Sequence, residues 1–189
     1  MKRIFVSLLA AFSVSVFAAE EAAPKPVFEG HFKDLKPFYL SVNKKTGADA
    51  KMELVTVDQN GKKVPAAKVT VLQRGRLFAD IQFMLWSAPF KLVAGEKYRL
   101  ELRMMTSKPV EFTITIFCQD SKGHVTRPSS EGSMRYSSAG NLWEDKTFEF
   151  YVEEESSGDH NFRIPNFFLG DFPPGSEFYC SRIALYHLK

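Results

Sequence analysis

Cysteine is scarce: Cys118 and Cys180 are the only two in 189 residues. A scaffold held by several disulfides is therefore excluded. Two cysteines with no histidine at ligand spacing do not make a zinc site either. Histidine is equally sparse. His31, His124, His160 and His187 are scattered and form no H-x-x-x-H pair, so convergent metal ligation has no local signature. There is no G-x-S-x-G elbow, no P-loop and no G-x-G-x-x-G. The familiar marks of α/β-hydrolases, nucleotide hydrolases and dinucleotide enzymes are thus missing. No segment of useful length has a clean 3.6-residue apolar period, which argues against a helical architecture. Charge of one sign is lacking too. Twenty-five Lys and Arg face 22 Asp and Glu, and the signs are interspersed. A nucleic-acid binder would show a basic face or stripe.

What is present begins with a leader. Lys2 and Arg3 precede the apolar run Ile4–Ala18, and Val16 and Ala18 satisfy the small-residue rule for cleavage. Residues 1–18 read as a signal peptide cleaved after Ala18. The protein is expected to be exported, to the periplasm or the medium. The run is short for a membrane span, and no second apolar run of spanning length follows it. No Cys follows the run, which argues against a bacterial lipid anchor. Cleavage removes two basic residues, taking the formal charge from +3 to about +1. Residues 19–33 contain Pro24 and Pro26, which disfavour a helix, and read as a linker. Residues 34–189 form the expected single domain.

That domain reads as strands. In "KYRLELRMM", behind Gly95, Tyr98, Leu100, Leu102 and Met104 alternate with Arg99, Glu101 and Arg103. The same grammar recurs in "FYLSV", "AKMELVTV", "AKVTVLQ", "DIQFMLW", "VEFTITIFCQ", "KTFEFYVE", "NFRIPNFFL" and "EFYCSRIALYHL". Asn60-Gly61 is a tight-turn signal between two of them. Phenylalanine, abundant at 18 residues, favours strands. Many short strands with Gly, Pro and Asn turns indicate an all-β sandwich or jelly roll. Both cysteines fall in apolar strand patterns. Export permits a disulfide between them, and the patterns equally suit two buried free thiols. Trp143 is expected to seal one end of the core at the start of its strand.

A glycosidase needs two opposed carboxylates. Glu101, Glu111 and Glu149 occupy outward strand positions, but so do ordinary solvent-facing residues, and no enzyme activity is expected. Recognition is the better fit. In "DIQFMLW", Ile81, Phe83 and Leu85 take the core, leaving Asp80, Gln82, Met84 and Trp86 on the other face. Asp and Gln can bond sugar hydroxyls, and an indole offers a flat apolar platform. Phe117, Gln119 and Tyr151 are expected to lie nearby on the outer faces of neighbouring strands. The plainer alternative is that Trp86, Phe117 and Tyr151 pack under loops.

These elements have a counterpart. "DIQFMLWSAPFKLVAGEKYRLELRMM", "PVEFTITIFCQD", "LWEDKTFEFYV" and "NFRIPNFFLGDFPPGSEFYCSRIALYHL" resemble, in order, the strands of the jelly-roll carbohydrate-binding modules of families four, nine and twenty-two. The resemblance covers roughly 80–188 and includes Trp143 in the tryptophan position. It implies a galactose-binding-domain-like jelly-roll β-sandwich of two antiparallel sheets. It implies non-catalytic binding of an oligo- or polysaccharide, by the module alone or within an envelope or glycan-degrading assembly. A closing-motif Asp that often helps hold a structural calcium in the family is Ser181 here, beside Arg182, so calcium is disfavoured and no cofactor or metal is expected. Two other readings are an envelope structural or interaction protein on the same fold, and a small jelly-roll glycoside hydrolase or lyase.

Overall fold

A computed structural model describes residues 25–30, 32–85, 93, 95–119, 125–126, 133–152 and 161–188, with side chains except at 117–119, 125–126 and 161–165. The expected signal peptide and Trp86 lie outside the described residues. In chain order the strands are β1 (Phe28–Gly30), β2 (Phe38–Val42), β3 (Asp49–Gln59), β4 (Lys62–Gln73), β5 (Ile81–Leu85) and β6 (Lys97–Thr106). There follow β7 (Val110–Gln119), β8 (Val125–Thr126), β9 (Ser133–Ser138), β10 (Glu144–Tyr151), β11 (Asn161–Phe168) and β12 (Glu177–Leu188). Single 3-10 turns occupy Lys44–Thr46 and Phe78–Asp80.

The strands build two antiparallel sheets. The first runs β10-β6-β12-β4-β3, with β1 also on β12; the second runs β2-β5-β11-β7-β8, with β9 also on β7. Period-two alternation explains which side each presents. Tyr98, Leu100, Leu102 and Met104 of β6 are buried, as are Ile81, Phe83 and Leu85 of β5 and Phe112, Ile114 and Ile116 of β7. The phenylalanines meet between the sheets. Phe83 stacks on Phe167 at 5.6 Å, Phe167 meets Phe178 at 4.8 Å, and Phe112 meets Phe178 at 5.8 Å and Phe172 at 5.5 Å. One aromatic seam therefore ties both sheets together.

Turn chemistry follows the sequence. Asn60 (φ 56°) and Gly61 (φ 79°) make the β3–β4 hairpin turn, and Asp58 Oδ1 accepts from the Gly61 N–H at 2.8 Å. Gly95 (φ 79°) donates to Val152 O at 2.9 Å, which aligns β6 with the end of β10.

Three strands were not foreseen. β1 falls in the segment expected to be linker. β12 pairs with β4 only over Glu177–Cys180, which leaves its later backbone groups without that neighbour; Phe28–Gly30 pair there with Ile183–Leu185. β8 and β9 are short and too polar to stand out as strands. Trp143 also differs from expectation. It lies just before β10, half-buried, edge-on to Tyr179 of β12 at 6.3 Å, and is not part of the buried core. Cys180 is free and fully buried, and burial pushes its thiol well above the usual range. The Cys118 side chain lies outside those described.

Candidate carbohydrate-binding face

The two outer faces of the sandwich differ in chemistry. On the first sheet the charged side chains pair with each other, around an open cleft of about 450 Å³ lined by Glu101, Arg103, Asp145, Lys146 and Arg182. Lys68 reaches Glu53 at 3.3 Å and Glu177 at 3.5 Å; Arg182 reaches Glu101 at 2.8 Å, Glu29 at 3.5 Å and Tyr186 Oη at 2.8 Å. Arg103 binds Gln59 and Asp145, and Lys97 binds Glu149. Glu149 is held below the usual carboxylate range chiefly by its bond from Lys97. Of the three outward glutamates, Glu101 and Glu149 belong to this face. Glu111 lies on the other sheet, paired with Arg135 at 2.8 Å.

The second sheet presents a different surface. Register aligns Ser41, Gln82, Phe168, Thr113 and Arg135 in one row across β2, β5, β11, β7 and β9. The next row is Tyr39, Met84, Asn166, Thr115 and Ser133. Their chain neighbours fill the core, so these residues face outward. Yet Met84, Asn166 and Thr115 are only 4%, 2% and 1% exposed. They form a floor rather than a rim.

Polar groups on this face are fixed in place. Asn166 Nδ2 donates to Gln82 Oε1 at 2.8 Å, and Gln82 Nε2 donates to Ala79 O at 2.7 Å. Asn166 Oδ1 has no partner among the described residues. The Thr115 and Ser133 hydroxyls lie 2.7 Å apart. Gln82, only half-buried, keeps a spare N–H in a defined direction, which suits recognition of a hydroxyl, while the buried Asn166 holds it there. Beside the rows lies a cleft of about 250 Å³, lined by Phe78, Glu111, Thr113, Arg135, Phe168 and Asp171. Phe78 is half-exposed and meets Phe168 edge-on at 5.1 Å. The face thus combines aromatic surface with fixed donors and acceptors.

A tight backbone lock positions Phe78. Gly75 N donates to Gly170 O at 3.1 Å, and Gly170 N donates to Phe78 O at 2.9 Å. Asp80 secures the same loop. Its Oδ2 accepts from the N–H groups of Arg76 (2.8 Å) and Leu77 (2.9 Å), and its Oδ1 from Asn43 Nδ2 (2.9 Å). These bonds, Leu77's first, hold its carboxyl below the ordinary range.

The expected site residues therefore separate. Gln82 is on the outer face of the second sheet. Asp80 is not beside it as a sugar ligand: it precedes β5, is buried, and spends its carboxylate on its own loop. Tyr151 is exposed on β10 of the first sheet, so the sandwich separates it from Gln82. Phe117 and Gln119 lie on β7, opposite Arg163 and Asn161 of β11. Met84, read as an outward neighbour of Gln82, does face outward but is covered. Sequence reasoning missed Phe78, Phe168 and Asn166. An Asn amid aromatics in "NFRIPNFFL" was the available signal, obscured by the register shift between Arg163 and Asn166. Ser181 accepts from Gln59 Nε2 at 2.7 Å. Among the described residues no group of His, Cys, Asp or Glu is placed to hold a metal ion. No helix among them is long and apolar enough to cross a membrane.

This two-sheet arrangement is the jelly-roll sandwich of carbohydrate-binding modules of the family 4 and 22 type. The similar structures include one described as "CBM4 structure and function", with a TM-score of 0.59 and 15% identity over 82% of this chain and 92% of that one. The CBM22-1 xylan-binding domain of Xyn10C from Paenibacillus barcinonensis gives a TM-score of 0.58 and 12% identity over 88% of this chain and 97% of that one. The second N-terminal cellulose-binding domain of Cellulomonas fimi β-1,4-glucanase C gives 0.58 and 13% over the same shares. No family model matches the chain, and no curated protein matches it in sequence. The likeness is one of fold.

Proposed function

We propose that the protein is an exported, non-catalytic carbohydrate-binding module whose site is the outer face of the second sheet. The observation that carries this reading is the contrast between the two faces: one is lined by charges paired with each other, whereas the other offers the Gln82 amide, held in place by the buried Asn166, beside the exposed ring of Phe78. Its fold neighbours include a xylan-binding and a cellulose-binding domain, which supports an oligo- or polysaccharide as the ligand class. Phe117, Gln119 and Trp86 belong to the proposed site on sequence grounds. The leader read at residues 1–18 supports work outside the cytoplasm. No structural calcium is invoked, because the Ser181 hydroxyl is engaged by Gln59.

Titration calorimetry against a panel of soluble xylo- and gluco-oligosaccharides tests the proposal. Binding is expected at micromolar to millimolar Kd, about −8 to −4 kcal/mol. Phe78→Ala removes an aromatic contact of roughly 0.5–1.5 kcal/mol and should weaken binding up to about tenfold at unchanged Tm. The rival reading, an envelope interaction protein on the same fold, is favoured by the burial of Met84, Asn166 and Thr115. It predicts no binding to any glycan, and that result would overturn the proposal.

A further inference from the structure

One end of the sandwich gathers the connections 43–48, 74–80, 107–109, 139–143 and 169–176. Hydrogen bonds join them into one surface: Asn43 to Asp80, Gly75 to Gly170, Lys108 Nζ to Pro174 O, and Asn141 N to Thr106 O. Leu72, Leu77, Phe78 and Leu142 stand exposed there, at 48%, 62%, 49% and 61%. They are four of the nine large apolar side chains exposed among the described residues. Singly exposed leucines need no explanation, but four large apolar groups exposed at one end of the molecule do.

The same connections are basic. They carry Lys44, Lys45, Arg74, Arg76 and Lys108 against Asp80 and Asp171. Asp80 is buried and turned into its loop. Lys44 pairs with Asp49 at the start of β3, and Arg74 with Asp171 at 3.3 Å. Lys45 and Arg76 have no anionic partner among the described residues.

We propose that this end docks the protein on the surface of an anionic phospholipid bilayer. Leucines and a phenylalanine interleaved with lysines and arginines are the composition that settles at the boundary between headgroups and acyl chains. Leu77 and Leu142 project from loops, Leu72 from the end of β4 and Phe78 from the 3-10 turn beside the cleft, so they do not share one groove. A fluid surface takes such projections without a matching pocket. An acidic polysaccharide would pair with the cations and leave the leucines wet. Asp80 and Gly170 already order the 74–80 loop, so docking costs little further conformational entropy. This inference does not rest on sugar binding. Phe78 borders both surfaces, so the test uses other residues.

Full-chain protein is mixed with vesicles of phosphatidylcholine alone or with phosphatidylglycerol added. The apolar leader is common to every variant, so the readout is the difference between them. Lys45→Ser with Arg76→Ser should weaken binding to the anionic vesicles roughly 25-fold at low salt, about fivefold per cation. Binding should also fall as salt rises. A Leu77→Trp reporter should shift its emission to the blue on anionic vesicles, and Leu54→Trp on β3 should not. Glycan titration of the paired serine variant should match wild type. The proposal is overturned if the serine variant binds vesicles like wild type, or if the Leu77→Trp emission does not move. Loss of binding to acidic glycans in that variant, with vesicle binding intact, assigns the cations to a polysaccharide and overturns it as well.

Discussion

Gly170→Ala tests the lock that presents Phe78. An alanine Cβ there would lie 2.3 Å from Leu77 O, 2.7 Å from Phe78 O and 2.9 Å from Phe78 C. These are backbone atoms, so no side-chain rotation relieves the contact. The 77–80 loop must move away from the turn after β11. That movement breaks the Gly170 N to Phe78 O bond and the Gly75 N to Gly170 O bond. Overpacking costs about 1–3 kcal/mol, and each lost hydrogen bond about 0.5–1.5 kcal/mol. The expected loss is about 2–6 kcal/mol. For a chain of this size that lowers Tm by roughly 5–20 °C, measured by circular dichroism melts or calorimetry. Glycan affinity should fall with it, because Phe78 loses its position. Gly61→Ala is the internal control. Nothing lies within 4 Å of its added Cβ, but its φ of +79° is left-handed, so it should cost only about 1–2 kcal/mol of backbone strain. If Gly170→Ala melts within a degree of wild type, the lock is not rigid and the reasoning fails.

Phe178→Ala should cost about 3–5 kcal/mol, because Phe178 contacts Phe83, Phe112 and Phe167 across both sheets; a urea midpoint equal to wild type would contradict the shared seam. Cys180 should resist thiol reagents in the native state and react once the chain is unfolded, since burial raises its thiol out of the reactive range; mass spectrometry of its labelled peptide checks this, and rapid native labelling would refute it. Asp80 sets an acid limit. Its folded carboxyl lies below the ordinary 3.8, so its contribution is fully present above that value and fades as pH falls through the lower folded value. Asp80→Asn should be less stable than wild type near neutrality, and the gap should narrow below about pH 3.8; a constant gap down to pH 2 would sink this.

Alternation made the central strands legible. β6, β7 and β10 bury the residues that period two selects, because an antiparallel strand with one wet side must write that pattern. Alternation says which face a residue takes, but not which sheet. Tyr151 and Gln82 were both outward, and the topology put them on opposite surfaces. Nor does it mark where a strand starts. Asp80 continues the β5 parity in sequence, yet it caps a turn, because three nearby donors needed an acceptor. β1 was hidden because its reason for pairing, an unpaired stretch of β12, lies at the far end of the chain. Phe78 sits in a loop, where no periodicity speaks.

β12 is the central strand of the first sheet, flanked by β6 on one side and by β4 and β1 on the other. It also follows every other described strand in chain order. Without it, β4 and β6 have no common neighbour, and β1 has nothing to pair with. Phe178, which completes the aromatic seam, lies on it. The contacts that finish the core thus join residues far apart in sequence, which makes folding slow. A chain cut before residue 177 would keep the strands of the second sheet but split the first into the separate pairs β10–β6 and β4–β3.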